Sequence, residues 1–381
     1  MSLMTEARLA PAGAAGITNP AAPPPVPTYE GDFVLPEHLL LDCGRSLAGV
    51  TLHYAVYGRL NAARDNAVLV CHALSGSAQV GAWWPELFAP SSLLNLDHDC
   101  VLCVNLIGSC YGSTGPASVD PDTGKIYGPD FPLISIADNV RAQAQLLDSL
   151  GIHRLRLILG GSIGGMQALD WAIHFPDRLQ RAVIIGVAPV SAMGLALNHL
   201  QRQAIQQDPD WADGRYHPQR PPHRGLALAR QIAMLSYKSA DLFDERFGRN
   251  PNRNGEDPWG LDDHGGGLTG GRFDIAGYLD HQGTRFINRF DANAYLAILR
   301  MMDTWDPLRG HASPTEAFAP IRAQLTLVGI SSDWLFPPQS VRTLASAIQS
   351  AGIQADYREM TSSHGHDAFL AEQPELVRLL L

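Results

Sequence analysis

The chain has 381 residues, 45% of them hydrophobic and 17% charged, and a formal net charge of −10. That is enough apolar sequence for one large core, or a core with a big insertion. The acidic balance weighs against nucleic acid or an anionic membrane as the main partner, while leaving room for a local basic mouth that takes a phosphorylated substrate. Residues 1–28 are rich in Ala and Pro and end Pro20-Ala-Ala-Pro-Pro-Pro-Val-Pro27. With no basic start and no apolar stretch behind it, this segment reads as a disordered arm and not as a signal peptide. No run of about 18 apolar residues occurs, so no membrane span is expected.

Thr51 to Tyr57 alternates in polarity, as a half-buried strand does, with Gly58 closing it. Ala67-Val-Leu-Val-Cys71 and Cys100-Val-Leu-Cys-Val104 are continuous apolar runs, the pattern of central parallel strands. The first leads into His72-Ala-Leu-Ser-Gly76, the second into a Gly- and Ser-rich loop ending at Pro116. The Cys100-x-x-Cys103 spacing invites a redox or zinc reading. Residues three apart in a strand point to opposite faces, however, and no second pair completes a site. The thiols are therefore expected to be structural, in a reduced, cytoplasmic protein without metal. A helix begins at Ser135 with Asp138 three residues on, a capping-box arrangement, and continues through Val140, Ala144, Leu147 and Leu150.

The most informative stretch follows. Leu155-Arg-Leu-Ile-Leu159 runs into Gly160-Gly161-Ser162-Ile163-Gly164-Gly165, and a helical sequence extends from Met166 to His174. Strand, sharp turn and helix around G-x-S-x-G is the pattern of a nucleophile elbow. A P-loop would need Lys where Met166 stands, and the glycine offsets fit no dinucleotide-binding frame. After the strand Ala182 to Gly186 the alternation of strands and helices stops. From Ala188 to about Arg309 the segments Gly194–Gln206, Leu226–Ser236 and Ala292–Met302 read as helices, and Asn250–Gly271 as a polar loop. Strands return at Leu325–Ile330 and Asp356–Met360. The expected architecture is an α/β-hydrolase fold: a mostly parallel central sheet wrapped by helices, with a helical lid inserted after the sixth core strand. The expected division is a core over 29–188 and 310–381 and a lid over 189–309.

A serine hydroxyl is a poor nucleophile until a base takes its proton and an acid holds that base in the right tautomer. In this fold the order is Ser, then Asp or Glu, then His. Ser162 is followed by Asp333, at the carboxyl end of the strand closing at Ile330. Ser363-His364-Gly365-His366-Asp367 then follows the last strand. Order alone leaves His364 and His366 as competing bases. Backbone N–H groups of Leu74 and Ile163 are the candidates to face a developing oxyanion, with His72 bracing the loop that carries Leu74.

From about Phe33 onward the chain resembles the homoserine O-acyltransferases of methionine biosynthesis. The blocks that carry the resemblance include Cys71-His-Ala-Leu-Ser-Gly76, Trp83-Trp84, Asn105-Leu-Ile-Gly-Ser-Cys-Tyr-Gly-Ser-Thr-Gly-Pro116 and Gly160-Gly-Ser-Ile-Gly-Gly-Met-Gln-Ala-Leu169. They continue through Ala229-Arg230 with Tyr237, Arg289-Phe-Asp-Ala-Asn293, Asp333-Trp-Leu-Phe-Pro-Pro338 and Gly365-His-Asp-Ala-Phe-Leu370. The resemblance implies Ser162, Asp333 and His366 as the catalytic set. It also implies Arg230, Asp367 and Tyr237 as substrate-binding residues. A guanidinium and a carboxylate suit the two charged ends of homoserine. It further implies ping-pong acyl transfer from an acyl-CoA, no cofactor beyond that co-substrate, and a homodimer. Succinyl-specific members tend to carry an Arg shortly after the acid, where this chain has Trp334-Leu335-Phe336. A buried, unpaired carboxylate beside Leu335 is costly, which favours acetyl-CoA as donor. The alternatives are succinyl transfer to homoserine or serine, and an esterase using water.

Overall fold

The computed structural model describes residues 23–259 and 270–381. Its centre is an eight-stranded sheet. The strands are β1 (Tyr29–Val34), β2 (Thr51–Gly58), β3 (Ala67–Cys71), β4 (Cys100–Val104), β5 (Leu157–Gly161), β6 (Arg181–Ile185), β7 (Gln324–Ile330) and β8 (Ala355–Met360). They lie in the order β1-β2-β4-β3-β5-β6-β7-β8. β1 and β2 are antiparallel to each other and β2 is antiparallel to β4. All remaining neighbours are parallel. In the β3–β5 register Cys71 stands opposite Gly160. The chain leaving β3 at His72 therefore runs beside the turn that leaves β5.

The central strands β3 and β4 are buried at every position, as their unbroken apolar runs require. The two faces of the sheet carry separate apolar clusters, and Cys100 and Cys103 fall into different ones. The strand geometry expected for that pair holds, and the two thiols cannot meet. Burial pushes the Cys71, Cys100 and Cys103 thiols well above the ordinary range.

The helices alternate with the parallel strands up to β6. Helix α1 (Ile136–Ser149) starts at Ser135 with both halves of the capping box formed by Ser135 and Asp138, and α2 (Ile163–His174) follows the elbow. Between β6 and β7 the described residues include five helices of seven residues or more. They are α3 (Ala192–Gln206), α4 (His223–Tyr237), α5 (Ala240–Arg246), α6 (Asp274–Ile287) and α7 (Ala292–Thr304). Helix α8 (Pro338–Ser350) links β7 to β8, and α9 (Gln373–Leu380) ends the chain.

Several elements depart from the sequence reading. β1 escaped it because Tyr29-Glu-Gly-Asp-Phe-Val34 is an edge strand with no buried position, so its hydrophobic signal is weak. α5, α6, α8 and α9 were also unforeseen. Helix α6 contains Gly277 and Gly283, each costing about 1 kcal/mol relative to Ala. At Gly283 the missing side chain has a use: a Cβ there would sit 3.0 Å from the Ala227 carbonyl of α4. The arm expected over 1–28 lies outside the described residues up to 22. At its far end Thr28 is tied to β2 through its N–H to the Val56 carbonyl (2.7 Å) and its hydroxyl to the Gly58 carbonyl (2.9 Å). The loop expected over Asn250–Gly271 likewise lies outside the described residues from 260 to 269.

Candidate active site

Ser162 occupies the turn between β5 and α2 with φ 57° and ψ −130°. A side-chain-bearing residue in that region is strained. The strained angle thus falls on the serine itself, and the glycines around it serve close approach. A Cβ on Gly164 would lie 2.1 Å from the Cys71 carbonyl oxygen, and one on Gly160 would lie 2.5 Å from the Gly164 oxygen. The turn is held by the Ser162 N–H donating to the Ile185 carbonyl (2.9 Å) and by the Ser162 carbonyl accepting from Gly165 N–H (2.8 Å).

The two histidines face different carboxylates. His364 Nδ1 contacts the Glu372 carboxylate (2.8 Å), away from Asp333. His366 Nδ1 instead lies 2.7 Å from Asp333 Oδ2, and both side chains are buried. The second carboxylate oxygen, Asp333 Oδ1, accepts from the Leu335 and Phe336 N–H groups, each at 2.9 Å. That fixes the carboxylate, and the carboxylate fixes the imidazole. His366 Nε2 is buried and has no hydrogen-bond partner among the described residues. Ser162 and His366 line the same pocket. Burial opposes a charge on His366, yet the adjacent Asp333 charge and hydrogen bond outweigh it, so the imidazole pKa is raised above 6.5.

The predicted oxyanion groups Leu74 and Ile163 sit on the two chains that the sheet register brings together. Neither N–H is used in a hydrogen bond among the described residues. Their loop is braced as expected of His72, whose Nδ1 contacts the Ala73 carbonyl (2.8 Å) while Nε2 accepts from Leu106 N–H (3.2 Å). Burial pushes His72 down to about 4, so it is a neutral strut. Asn105 contributes a second brace, its Oδ1 accepting from Ala78 N–H (2.6 Å). Arg289 adds a third by donating to the Ser75 carbonyl (2.9 Å).

The pocket has a volume of about 100 Å³. Arg230 lines it, its guanidinium 4.9 Å from the Phe286 ring centre and 5.3 Å from that of Tyr237. Its Nε has no partner among the described residues. Tyr237 and Asp367 line the same pocket, as do Leu335 and the buried amides Asn198 and Gln201. The structure therefore gathers Ser162, His366, Arg230, Tyr237, Asp367 and Leu74 around one space, with Asp333 directly behind His366. Sequence reasoning missed Lys238, whose Nζ lies 3.0 Å from Asp367 Oδ2. It also missed Asn198 and Gln201. A Lys at a helix end and two amides in a helix carry no signal by spacing. Among the described residues no group of three or more His, Cys, Asp or Glu is placed to hold a metal.

Strand order, elbow and the Asp333–His366 pair together define an α/β-hydrolase fold, and a family model of that description matches residues 66–373. A homoserine O-acetyltransferase of Symbiobacterium thermophilum is 44% identical over 93% of this chain and 94% of its own length. A homoserine O-succinyltransferase of Alkalilimnicola ehrlichii is 42% identical over 89% of this chain and 90% of its own. The crystal structure of a homoserine O-acetyltransferase from Bacillus anthracis superposes with a TM-score of 0.84, at 24% identity, over 92% of this chain and 95% of that one. The chain belongs to the homoserine O-acyltransferase family and is an O-acyltransferase.

Proposed function

We propose that the protein transfers an acetyl group from acetyl-CoA to the γ-hydroxyl of L-homoserine, a step of methionine biosynthesis, through an acyl-enzyme on Ser162. His366 Nε2 takes the Ser162 proton, and Oγ attacks the thioester carbonyl. The oxyanion faces the Leu74 and Ile163 N–H groups, where fixed donors are worth most. Collapse breaks the C–S bond, and the CoA sulfur leaves with the proton from His366. The homoserine hydroxyl then gives its proton to His366 and attacks the acyl-serine carbonyl. Collapse of that intermediate returns the proton to Ser162 and releases the ester. Arg230 clamps the homoserine carboxylate and Asp367 its ammonium, with Tyr237 packed between Arg230 and His366. Residues 189–309 act as a lid over a core formed by 29–188 and 310–381, keeping water from the acyl-enzyme.

The observation that carries the acetyl reading is the lining of the pocket. Apart from His366 its cationic side chain, among the described residues, is Arg230, and the position beside the acid is Leu335. With Arg230 engaged by homoserine, a succinyl carboxylate would be buried without a counter-ion. Succinyl transfer is the second reading, favoured by relatives of that name at similar identity. We further propose a cytoplasmic homodimer that associates through α3 and α4. These two helices pack together and expose Met193, Leu195, Leu200, Leu228 and Leu235.

The test measures CoA thiol release from acetyl-CoA or succinyl-CoA, with and without L-homoserine or L-serine. Homoserine-dependent release from acetyl-CoA, with O-acetylhomoserine as product, supports the proposal. Faster release from succinyl-CoA would transfer the assignment to the second reading. Release indifferent to any acceptor would make water the acceptor, and then Arg230→Ala should barely matter.

A further inference from the structure

Two buried amides in the wall of the serine pocket stand apart from the reacting groups. Asn198 and Gln201 are three residues apart on α3, and so on one face of that helix. Both line the pocket, and both are almost fully buried, with exposures of 6% and 3%. Polar groups this deep are expected to have their hydrogen bonds met. A primary amide has two N–H donors and one carbonyl oxygen to satisfy.

The network around them has one consistent direction. Asp303, on α7, pairs with Arg202 through Oδ2, and a carboxylate paired with a guanidinium only accepts. Asn198 therefore turns its nitrogen to Asp303 Oδ1, at 2.6 Å. Its oxygen is left to accept from Gln201 Nε2, at 3.2 Å. The Gln201 oxygen in turn accepts from the hydroxyl of Tyr295, which is wholly buried on α7. Both amide oxygens are thus used inside the protein. Each nitrogen has one hydrogen committed to the network and a second without an acceptor among the described residues.

Arg230 shares these surroundings. Its guanidinium lies 4.9 Å from the Phe286 ring centre, and Phe286 meets the Tyr295 ring edge-on at 5.5 Å. Arg230 lines the pocket together with the two amides, and its buried Nε has no partner among the described residues. Helix α7, which supplies Tyr295 and Asp303, lines the pocket with the apolar Leu299 and Met302. Arg230 and the amides therefore offer one cation and two neutral N–H donors, with both amide oxygens withdrawn. A carboxylate suits that set, because its two oxygens have more lone-pair sites than one guanidinium fork fills.

We propose that Asn198 and Gln201 set acceptor specificity, their free N–H groups joining Arg230 to seat the carboxylate of an α-amino-acid acceptor. The proposal rests on the homoserine reading above. Tyr295 and Asp303 keep either amide from flipping and turning an oxygen toward that carboxylate. An acceptor without the carboxylate leaves buried donors unmet, and sites of that kind discriminate strongly against such an analogue.

Two acceptors test this with acetyl-CoA as donor: L-homoserine and 3-aminopropan-1-ol, the same alcohol and amine without the carboxylate. Gln201→Met removes the donor at similar length. Gln201→Glu keeps an oxygen for Tyr295 and puts a negative charge where the N–H was. Gln201→Met should raise KM for L-homoserine about tenfold, with kcat little changed, and Gln201→Glu should raise it further. Both variants should keep kcat/KM for 3-aminopropan-1-ol within about twofold of the unaltered enzyme. The burst of CoA release without any acceptor should also be preserved. An unchanged KM for L-homoserine in both variants would overturn the assignment. So would equal losses with both acceptors, or a lost burst, either of which would make the amides ties between α3 and α7 only. If CoA release by the unaltered enzyme does not depend on L-homoserine, the acceptor reading itself fails, and this proposal with it.

Discussion

His366 is held between opposing influences. Burial disfavours its charged form, Asp333 and Asp367 favour it, and Lys238 disfavours it, with a net rise above 6.5. In its proposed role as base His366 acts when neutral, so kcat/KM should fall as pH drops through a pKa above 6.5. Lys238→Met removes a positive neighbour and leaves the Asp367 charge uncompensated, and both changes raise the imidazole pKa. The acidic limb of the pH–rate profile should therefore move up by roughly half a unit or more. A limb that stays put or moves down would show that the Lys238–Asp367 pair does not reach the base. Ser162 carries a different tension, a φ of 57° on a residue with a Cβ. Ser162→Gly and Ser162→Ala should both abolish acyl transfer. The glycine variant should be the more stable of the two by about 1 kcal/mol, because it relieves the strain. Thermal unfolding of the pair measures this directly. The sharp turn at Ser162 was legible in the sequence because a turn of this kind needs glycines at fixed offsets. The choice between His364 and His366 was not, since it depends on which ring the loop turns toward Asp333.

Among the elements, the C-terminal end of α4 is tied directly to the loops of the site. The Lys238 carbonyl accepts from Trp334 Nε1 (3.0 Å), beside the acid, and the Ser239 hydroxyl donates to the Ser363 carbonyl, beside the base. The inserted helices thus hold both loops that carry Asp333 and His366. A second tie joins α2 to the end of α7, where Trp305 Nε1 donates to Asp170 Oδ1 (2.9 Å). Asp170 is buried, which pushes its carboxyl up to about 7. The folded state therefore favours the protonated acid, while the unfolded chain ionises near 4. Stability is lost as pH rises from about 4 toward 7 and stays lost above that. Asp170→Asn cannot ionise and keeps an oxygen for Trp305. Its stability should match that of the unaltered protein at pH 4 and exceed it at pH 8 by on the order of 2–4 kcal/mol. Equal denaturant midpoints at both pH values would refute the assignment. Buried strands and the capped α1 were legible because their patterns are strong. β1, α5 and α6 were not, because an exposed edge and helices with internal glycines or a single turn or two of length depend on what they pack against.

At the scale of the whole molecule, the exposed leucines of α3 and α4 form the surface most in need of a partner. Leu228→Asp should convert a dimer into a monomer in sedimentation at micromolar concentration, with the thermal midpoint lowered by several degrees. A monomeric unaltered protein would remove the case for association there. The sequence could announce the sheet and the insertion, but which helix faces stay bare is fixed only after all the helices are placed. The distribution of thiols over the fold has a practical consequence. Cys71, Cys100 and Cys103 are buried, Cys110 is partly covered, and Cys43 alone is exposed. Burial also pushes the Cys110 thiol up to about 11. Cys43 is therefore a natural single attachment point: a maleimide dye should label the native enzyme at one site per chain, on the segment between Asp42 and Arg45. That position reports on the neighbouring Asp42–Arg141 ion pair without touching the reacting groups, so optical probes can be installed without first removing any native cysteine.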